Sequence, residues 1–372
     1  MKIVCISASQ VPSDTASSIQ VMKVCQSFSQ LGYEVTLLVP GQKADTVDLL
    51  SHYGLQQRFD VEWLRVRNRR LFPWKAAWHA KNLAPDLVYA WPIQVAVLSS
   101  MAGIPSMLEM HDFPAGRFGP LWFRLFLTLP GKKRLLPITH ALQHALEKKY
   151  GLMRNEQVVI SPDGVDLERY VDLPDPKSAR SQLSLPDAPL VLCTGHLYAG
   201  RGADLFLALA AKFPGASFLW VGGRPADVNY WKAQASQQAL ANVTFTGFVT
   251  NDRIPLYQAA ADLLLMPYER TISGSSGGNT VDVCSPMKMF EYLAAGRAIV
   301  TSELPVLREV LDENTAVFCA TEELRAWESA LGGLLADEKR REALGQHCRK
   351  VAQQYAWKER SKRALAGFGN QE

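Results

Sequence analysis

Residues Ser285–Leu311 read SPMKMFEYLAAGRAIVTSELPVLREVL, a helix and a strand with their punctuation intact. Ser285 is a good N-cap and Pro286 suits a first turn, so the sequence predicts a helix from Ser285 onward. Gly296 can take the left-handed conformation that closes it. The run RAIVTSE then reads as a strand buried on both faces. Upstream of this unit the same texture recurs in PLVLCTG, SFLWVGG, NVTFTGF and ADLLLMPY, and downstream in TAVFCA, mostly with helix-length segments between. Such alternation implies a parallel sheet.

The first half repeats the scheme with KIVCISA, EVTLLVP, DLVYAW, SMLEMHD, RLLPIT and QVVISP. A helix over Ser18–Leu31, stopped by Gly32, makes the start Rossmann-like. The linker DGVDLERYVDLPDPKSARSQLSLPDAPL is too rich in turn formers and charge to add a strand. It places the boundary near Pro176, giving an α/β domain at 1–175 and another at 176–355. Two domains are also what the length demands, because single cores stop growing near roughly 250–300 residues and this chain has 372. Parallel α/β sheets bind ligands beyond the carboxyl ends of their strands, so the expected site is a cleft between the two sheets.

With 48% hydrophobic residues, 20% charged and a net charge of +4, the chain is a folded soluble type, neither a disordered tail nor a nucleic-acid coat. Its six cysteines are scattered without a C-x-x-C pair and suit a reducing, cytoplasmic setting. MKIVCISASQ is too brief for a signal h-region. The uncharged stretch Leu87–Leu108 has the length of a membrane span, but Pro92, Gly103 and Pro105 divide it into strand, helix and strand.

The free N–H groups at the start of the Ser285 helix would hold an anion, and the run SGSSGG just before it lets backbone approach a ligand; a diphosphate fits. Glu291, six residues along, could bind sugar hydroxyls. Alternatively, Glu291 and Lys288 form a solvated helix pair. His140 and His144 have the i, i+4 spacing of zinc ligands but no third partner. Around Ser276, GSSGG fits a nucleophile elbow without the strand–turn–helix context that motif requires. There is no phosphate loop of the G-x4-G-K-S/T type and no D-x-D metal pair.

Ser285–Leu311 resembles the family 4 retaining glycosyltransferases of the GT-B architecture, which carry S-P-x-K-x-x-E-Y-x-A-x-G, a strand, and a D/E-L-P-x-x-R-E segment. GVDLERY, GHLYAGRG, TGFV and AADLLLMPY occur in the family's order. The tail QQYAWKERSKRALAGF looks like the family's closing helix, so 356–372 is expected to return to the N-terminal domain. The resemblance implies two Rossmann-like domains facing across a cleft, acceptor on the first and nucleotide-sugar on the second. It makes Glu291 the carboxylate on the donor ribose and Arg201, between Gly200 and Gly202, the cation on the diphosphate. His111 in EMHDFP becomes the histidine near the donor sugar. Ser17 and Ser18 match the loop facing the donor, although ordinary helix capping explains them as well. His196 stands where the family often has Arg, so phosphate binding would be shared with Lys288. Val283 replaces the first glutamate of an E-x7-E pair; Asp282 beside it, with Ser285, completes the expected donor contacts.

The implied reaction moves a hexosyl group with retention of configuration, without metal, cofactor or protein nucleophile. A non-catalytic nucleotide-sugar-binding relative and an epimerase of the same architecture are the competing readings. Between Arg58 and Arg154 lie 15 Lys and Arg against 6 Asp and Glu. Trp74, Phe118, Trp122, Phe123 and Phe126 stand among these cations. This mixture suits an anionic membrane face and a lipid-linked acceptor, or else core aromatics with a solvated rim. No nucleic-acid-binding module is recognisable.

Overall fold

The computed structural model describes residues 1–43, 47–151, 154, 157–272 and 279–368. The chain divides into two compact units, one of Met1–Asp163, Val283–Ser285 and Trp357–Glu372, the other of Gly164–Asp282 and Pro286–Ala356. The first unit therefore ends before the boundary expected near Pro176.

In the first unit, strands β1 (Lys2–Ile6), β2 (Glu34–Pro40), β3 (Asp60–Leu64), β4 (Leu87–Ala90), β5 (Ser106–Met110) and β6 (Lys133–Pro137) form a parallel sheet in the order β3-β2-β1-β4-β5-β6. The helices are α1 (Ala16–Gln30), α2 (Leu49–Tyr53), α3 (Phe72–Asn82), α4 (Ile93–Met101), α5 (Gly119–Thr128) and α6 (His140–Tyr150). The second unit holds α7 (Pro176–Gln182), β7 (Leu190–Thr194), α8 (Ala203–Lys212), β8 (Ser217–Val221), α9 (Pro225–Gln237), β9 (Val243–Phe245), α10 (Ile254–Ala260) and β10 (Leu263–Met266). It continues with α11 (Met287–Ala295), β11 (Ala298–Ser302), α12 (Pro305–Arg308), β12 (Ala316–Cys319), α13 (Leu324–Ala336) and α14 (Glu338–Ala352). Its sheet runs β12-β11-β10-β7-β8-β9. Counted from each unit's own first strand the two orders are identical, the doubly wound Rossmann order whose ligand crevice lies where the strand order reverses. That point is β1/β4 in one unit and β7/β10 in the other.

In the first sheet one expected strand is absent and one unexpected strand takes its place. QVVISP is not a sixth strand. It makes a single bridge, Val158 to Leu135, and the carbonyls of Ser161 and Pro162 are turned to an arginine instead of a ladder. The sixth strand is β3, DVEWL, whose Asp60 and Glu62 disguise it in the sequence and suit its place at the sheet edge. Leu87–Leu108 is β4, α4 and β5, and among the described residues no helix is long and apolar enough to cross a membrane.

The last helix, α15 (Trp357–Leu365), belongs to the first unit. Three ties hold it there. The Ser361 hydroxyl bonds Ser27 Oγ at 2.5 Å, Arg134 of β6 donates to the carbonyls of Ala364 and Ala366 at 2.6 and 2.9 Å, and Arg360 inserts beneath β4 and β5.

Candidate active site

At the switch point of the second sheet, the loop after β7 runs through Gly195, Gly200 and Gly202, all at positive φ. A methyl at Gly200 would sit 1.8 Å from the Thr271 carbonyl oxygen, and one at Gly202 1.8 Å from that of Pro267. Only glycine lets this loop lie against the segment after β10, where Gly200 O accepts the Glu269 N–H at 3.1 Å. Arg201 is thereby fixed between two glycines, immediately ahead of α8.

Its guanidinium lies 5.3 Å from the ring centre of Tyr268, and Lys288 Nζ of α11 lies 4.9 Å from the same ring. Lys288 also donates to Cys193 Sγ at 3.5 Å. Burial pushes the Cys193 thiol pKa up, only partly opposed by Lys288 and Arg201, so the thiol stays neutral and supplies no counter-charge. Among the described residues neither Arg201 nor Lys288 is ion-paired, and the buried Tyr268 hydroxyl has no hydrogen-bond partner. Two cations over one aromatic ring, without a counter-ion among the described residues, can accommodate a dianion. His196 flanks this loop, stacked on Tyr198 at 4.8 Å with Arg224 over the far ring at 5.3 Å.

The helix carrying Lys288 begins later than its sequence suggests. α11 starts at Met287, because Pro286 remains extended (ψ 121°) and is itself the N-cap. Ser285 does not cap it; its Oγ accepts the Asp163 N–H at 3.1 Å. Gly296 does close the helix, at φ 62°. The expected run SGSSGG, with Ser276, lies outside the described residues.

Glu291 and Lys288 do not pair with each other. Glu291 Oε2 accepts from Gln258 Nε2 at 3.3 Å, and Gln258 Oε1 accepts from the Tyr170 hydroxyl at 2.9 Å. Burial, then the Glu291 charge, push the Tyr170 pKa well up, so Tyr170 remains a donor. Arg169 bonds the side chain and carbonyl of Asn251 and pins the turn that carries Tyr170. GVDLERY thus contributes the support of Glu291. Val283 is buried in the apolar cluster of the first unit, with its carbonyl accepting from Thr139 Oγ1 at 3.1 Å. Asp282 lies exposed in the turn beside it.

In the first unit His111 follows β5 and keeps 35% of its side-chain surface. Its Nε2 lies 2.6 Å from Glu109 Oε1, and Glu109 is fully buried. Glu109 also meets Arg360 at 2.8 Å, the Tyr89 hydroxyl, and Gln20 at 2.5 Å. Burial would raise its pKa, but Arg360, His111 and Tyr89 outweigh burial and bring it to about 2. For His111 the balance also favours the charged form: burial lowers its pKa, while Glu109 and Asp163 raise it further than that. Glu109, Arg360, Tyr268 and Gln258 carry no motif of their own in the sequence, although Glu109 stands two residues before His111 in EMHDFP. Ser18 is buried, its hydroxyl donating to Gln10 O at 2.8 Å and lying 2.6 Å from the Tyr53 hydroxyl, and Ser17 is exposed in the first turn of α1. His140 and His144 are exposed on α6, and among the described residues no group of three His, Cys, Asp or Glu could hold a metal ion.

Residues 18–169 match the family model Glycosyltransferase Family 4, and residues 188–337 match Glycosyl transferases group 1. The chain is 28% identical over 191 residues to the GDP-mannose-dependent alpha-(1-6)-phosphatidylinositol monomannoside mannosyltransferase of Mycolicibacterium smegmatis, covering 50% of this chain and 48% of that one. It is 25% identical over 296 residues to the 2-deoxystreptamine N-acetyl-D-glucosaminyltransferase of Streptomyces fradiae, covering 69% and 70%. HepE of Anabaena, solved with UDP and glucose, superposes with a TM-score of 0.75 over 100% of both chains at 17% identity. The chain spans about half the length of the first curated relatives it matches. The two identically ordered sheets and these neighbours define a two-domain α/β protein of the GT-B fold. Within that class the chain belongs to the family 4 glycosyltransferases.

Proposed function

We propose that the protein transfers a hexosyl group from a nucleotide-diphosphate sugar to a glycan or lipid-linked acceptor, with retention of configuration and without a metal. The observation that carries this is the pair Arg201 and Lys288 over Tyr268, uncompensated among the described residues at the switch point of the second sheet. Breaking a glycosyl–phosphate bond leaves charge on the departing diphosphate, and preorganised cations there lower the barrier without metal help. Glu291, steadied by Gln258, accepts the ribose hydroxyls, Gly200 admits the phosphates to the backbone, and His111 is assigned to the donor sugar. His196, Ser285, Asp282, Ser17 and Ser18 are subsidiary donor contacts in this reading. Of these, Ser18 has the least hydroxyl to spare. Purified protein is tested against UDP-, GDP- and ADP-sugars. A true donor at about a hundred times its Kd raises stability by about 2.7 kcal/mol. Transfer should persist in chelator and give an axial or equatorial anomer matching the donor. No thermal shift and no product with any nucleotide-sugar would sink the reading.

The acceptor side is proposed to work at an anionic membrane surface on the cytoplasmic face. Of the aromatics set among cations, Phe123 and Phe126 are core, whereas Trp74 and Phe118 are exposed. Leu71, Trp74 and Trp78 form an i, i+3, i+7 stripe on the outer face of α3 and the residue before it; Phe118, Leu121 and Leu125 repeat it on α5. Trp74 meets Trp122 edge-on at 5.7 Å, which joins the stripes. Residues 65–83 and 113–134 carry cations and no carboxylate. An apolar stripe rimmed by one sign of charge fits an anionic bilayer. Cosedimentation with phosphatidylglycerol vesicles should fall severalfold in Trp78→Ser/Leu121→Ser; equal binding by the variant, or equal binding to phosphatidylcholine alone, refutes it.

A further inference from the structure

The first unit spends its deepest charges on one histidine. Glu109 has no exposed surface and Arg360, from the far end of the chain, is 1% exposed. Arg360 spreads its guanidinium over four acceptors: Glu109 at 2.8 Å, Tyr89 Oη at 3.3 Å, and the carbonyls of Pro162 and Ser161 at 2.7 and 3.1 Å. The other Glu109 oxygen takes His111 Nε2 and Gln20, whose own oxygen accepts from Trp91 Nε1 at 3.1 Å. A buried pair this well bonded is rigid on every side but one, the half-exposed imidazole.

We propose that Glu109, clamped by Arg360 of α15, is the positioning residue of His111, binding Nε2 so that Nδ1 is the nitrogen presented to the donor sugar. An ionised carboxylate only accepts, so Nε2 must carry its hydrogen. Among the described residues Nδ1 has no hydrogen bond. The groups facing the ring are Glu109 of β5, Asp163 just after Ser161–Pro162, and Arg360 of α15, with Tyr89 of β4 behind Glu109. Two carboxylates against one guanidinium favour the imidazolium, in which Nδ1–H becomes a donor while Nε2–H stays in place. The closing helix is thus coupled to the chemistry through a carboxylate, which a merely packing helix would not be.

The catalytic part of this role rests on the transferase reading, but its geometry does not. Nitrogen-15 spectra of the histidines, with His111 assigned by its loss in His111→Asn, give its tautomer and midpoint between about pH 5 and about pH 9. Expected is an Nε2–H ring titrating above the ordinary value of about 6.5. In Glu109→Gln the midpoint should fall, because burial is then less opposed, and the tautomer should no longer be single. The kcat profile should move acidward with the midpoint, with kcat lowered at least about tenfold and the donor KM within about twofold. Arg360→Lys keeps the charge and should shift the midpoint less. An Nδ1–H ring in the wild type, or an unmoved midpoint in Glu109→Gln, overturns the proposal. The wild-type tautomer decides even where the Gln variant fails to fold. Absence of turnover in the wild type would instead count against the transferase reading alone.

Discussion

The two sheets have one strand order and opposite treatments of charge. In the first unit a carboxylate and a guanidinium, Glu109 and Arg360, are buried together, and every charged atom of that pair finds a partner inside the protein. In the second, two cations meet aromatic rings and a neutral thiol, with no carboxylate paired to either among the described residues. A shared topology therefore says where a site can be, and the side chains at the strand ends say what it can hold. Charges neutralised internally serve stability and orientation; charges left over serve a ligand.

That contrast predicts two arginine variants with opposite symptoms. Arg360→Ala strips the partner from a buried carboxylate, which typically costs about 3–5 kcal/mol, so its Tm should fall far enough to threaten folding. Arg201→Ala removes a cation with no counter-ion among the described residues; Tm should stay close to wild type while kcat drops about 10²–10³-fold. Calorimetry and donor turnover on both variants measure the contrast directly. If Arg201→Ala loses as much stability as Arg360→Ala, or keeps its turnover, the two units are not used differently.

Gly202→Ala sharpens the point at the backbone. Its φ of 77° and the 1.8 Å clash with the Pro267 carbonyl mean that the loop carrying Arg201 must move away from the segment carrying Tyr268. The strain should cost about 1–3 kcal/mol, and donor affinity should fall with it. A variant with wild-type donor affinity would show that the Arg201–Tyr268 approach is incidental.

The charged cluster of the first unit should also be visible in the pH dependence of stability. Glu109 is held at about 2, below its ordinary 4.5, so its contribution is present above that ordinary value and is lost as pH falls toward about 2. His111 is shifted the other way. Its contribution is complete below about 6.5 and is lost as pH rises through its higher folded value. Stability from the pair should be greatest between these two limits, and Glu109→Gln should flatten both flanks in a thermal melt series.

Much of this was legible in the sequence, for physical reasons that differ by residue. The six strands of the second unit stand out because most are buried on both faces and read as continuous apolar runs. β3 escaped because an edge strand carries charge, and QVVISP misled because an apolar run with Ser161–Pro162 at its end lends its carbonyls to Arg360. Arg201, Lys288, Glu291 and His111 announced themselves through spacing and motif. Tyr268, Gln258 and Tyr170 did not, because a partner brought in by the fold from a distant segment leaves no local signal. Arg360 is the extreme case: in WKERSKR it is one cation among several, and only its burial against Glu109 distinguishes it.

The smallest expected effect concerns Glu291. Its carboxylate is held by Gln258, which is held in turn by Tyr170, so the side chain is aimed before any donor arrives. Glu291→Gln keeps the size and one acceptor but removes the charge that, in the proposed role, strengthens bonds from ribose hydroxyls. A charge-assisted hydrogen bond exceeds a neutral one by about 1 kcal/mol, so donor affinity should weaken severalfold to about tenfold, with kcat changed less. Tyr170→Phe tests the aim separately from the charge: it leaves Glu291 ionised and only loosens Gln258, and should weaken donor binding by a smaller factor. Were Tyr170→Phe to exceed Glu291→Gln in effect, the relay would matter more than the carboxylate, and Glu291 would have to be reassigned from ribose contact to a structural support of the α10–α11 pair.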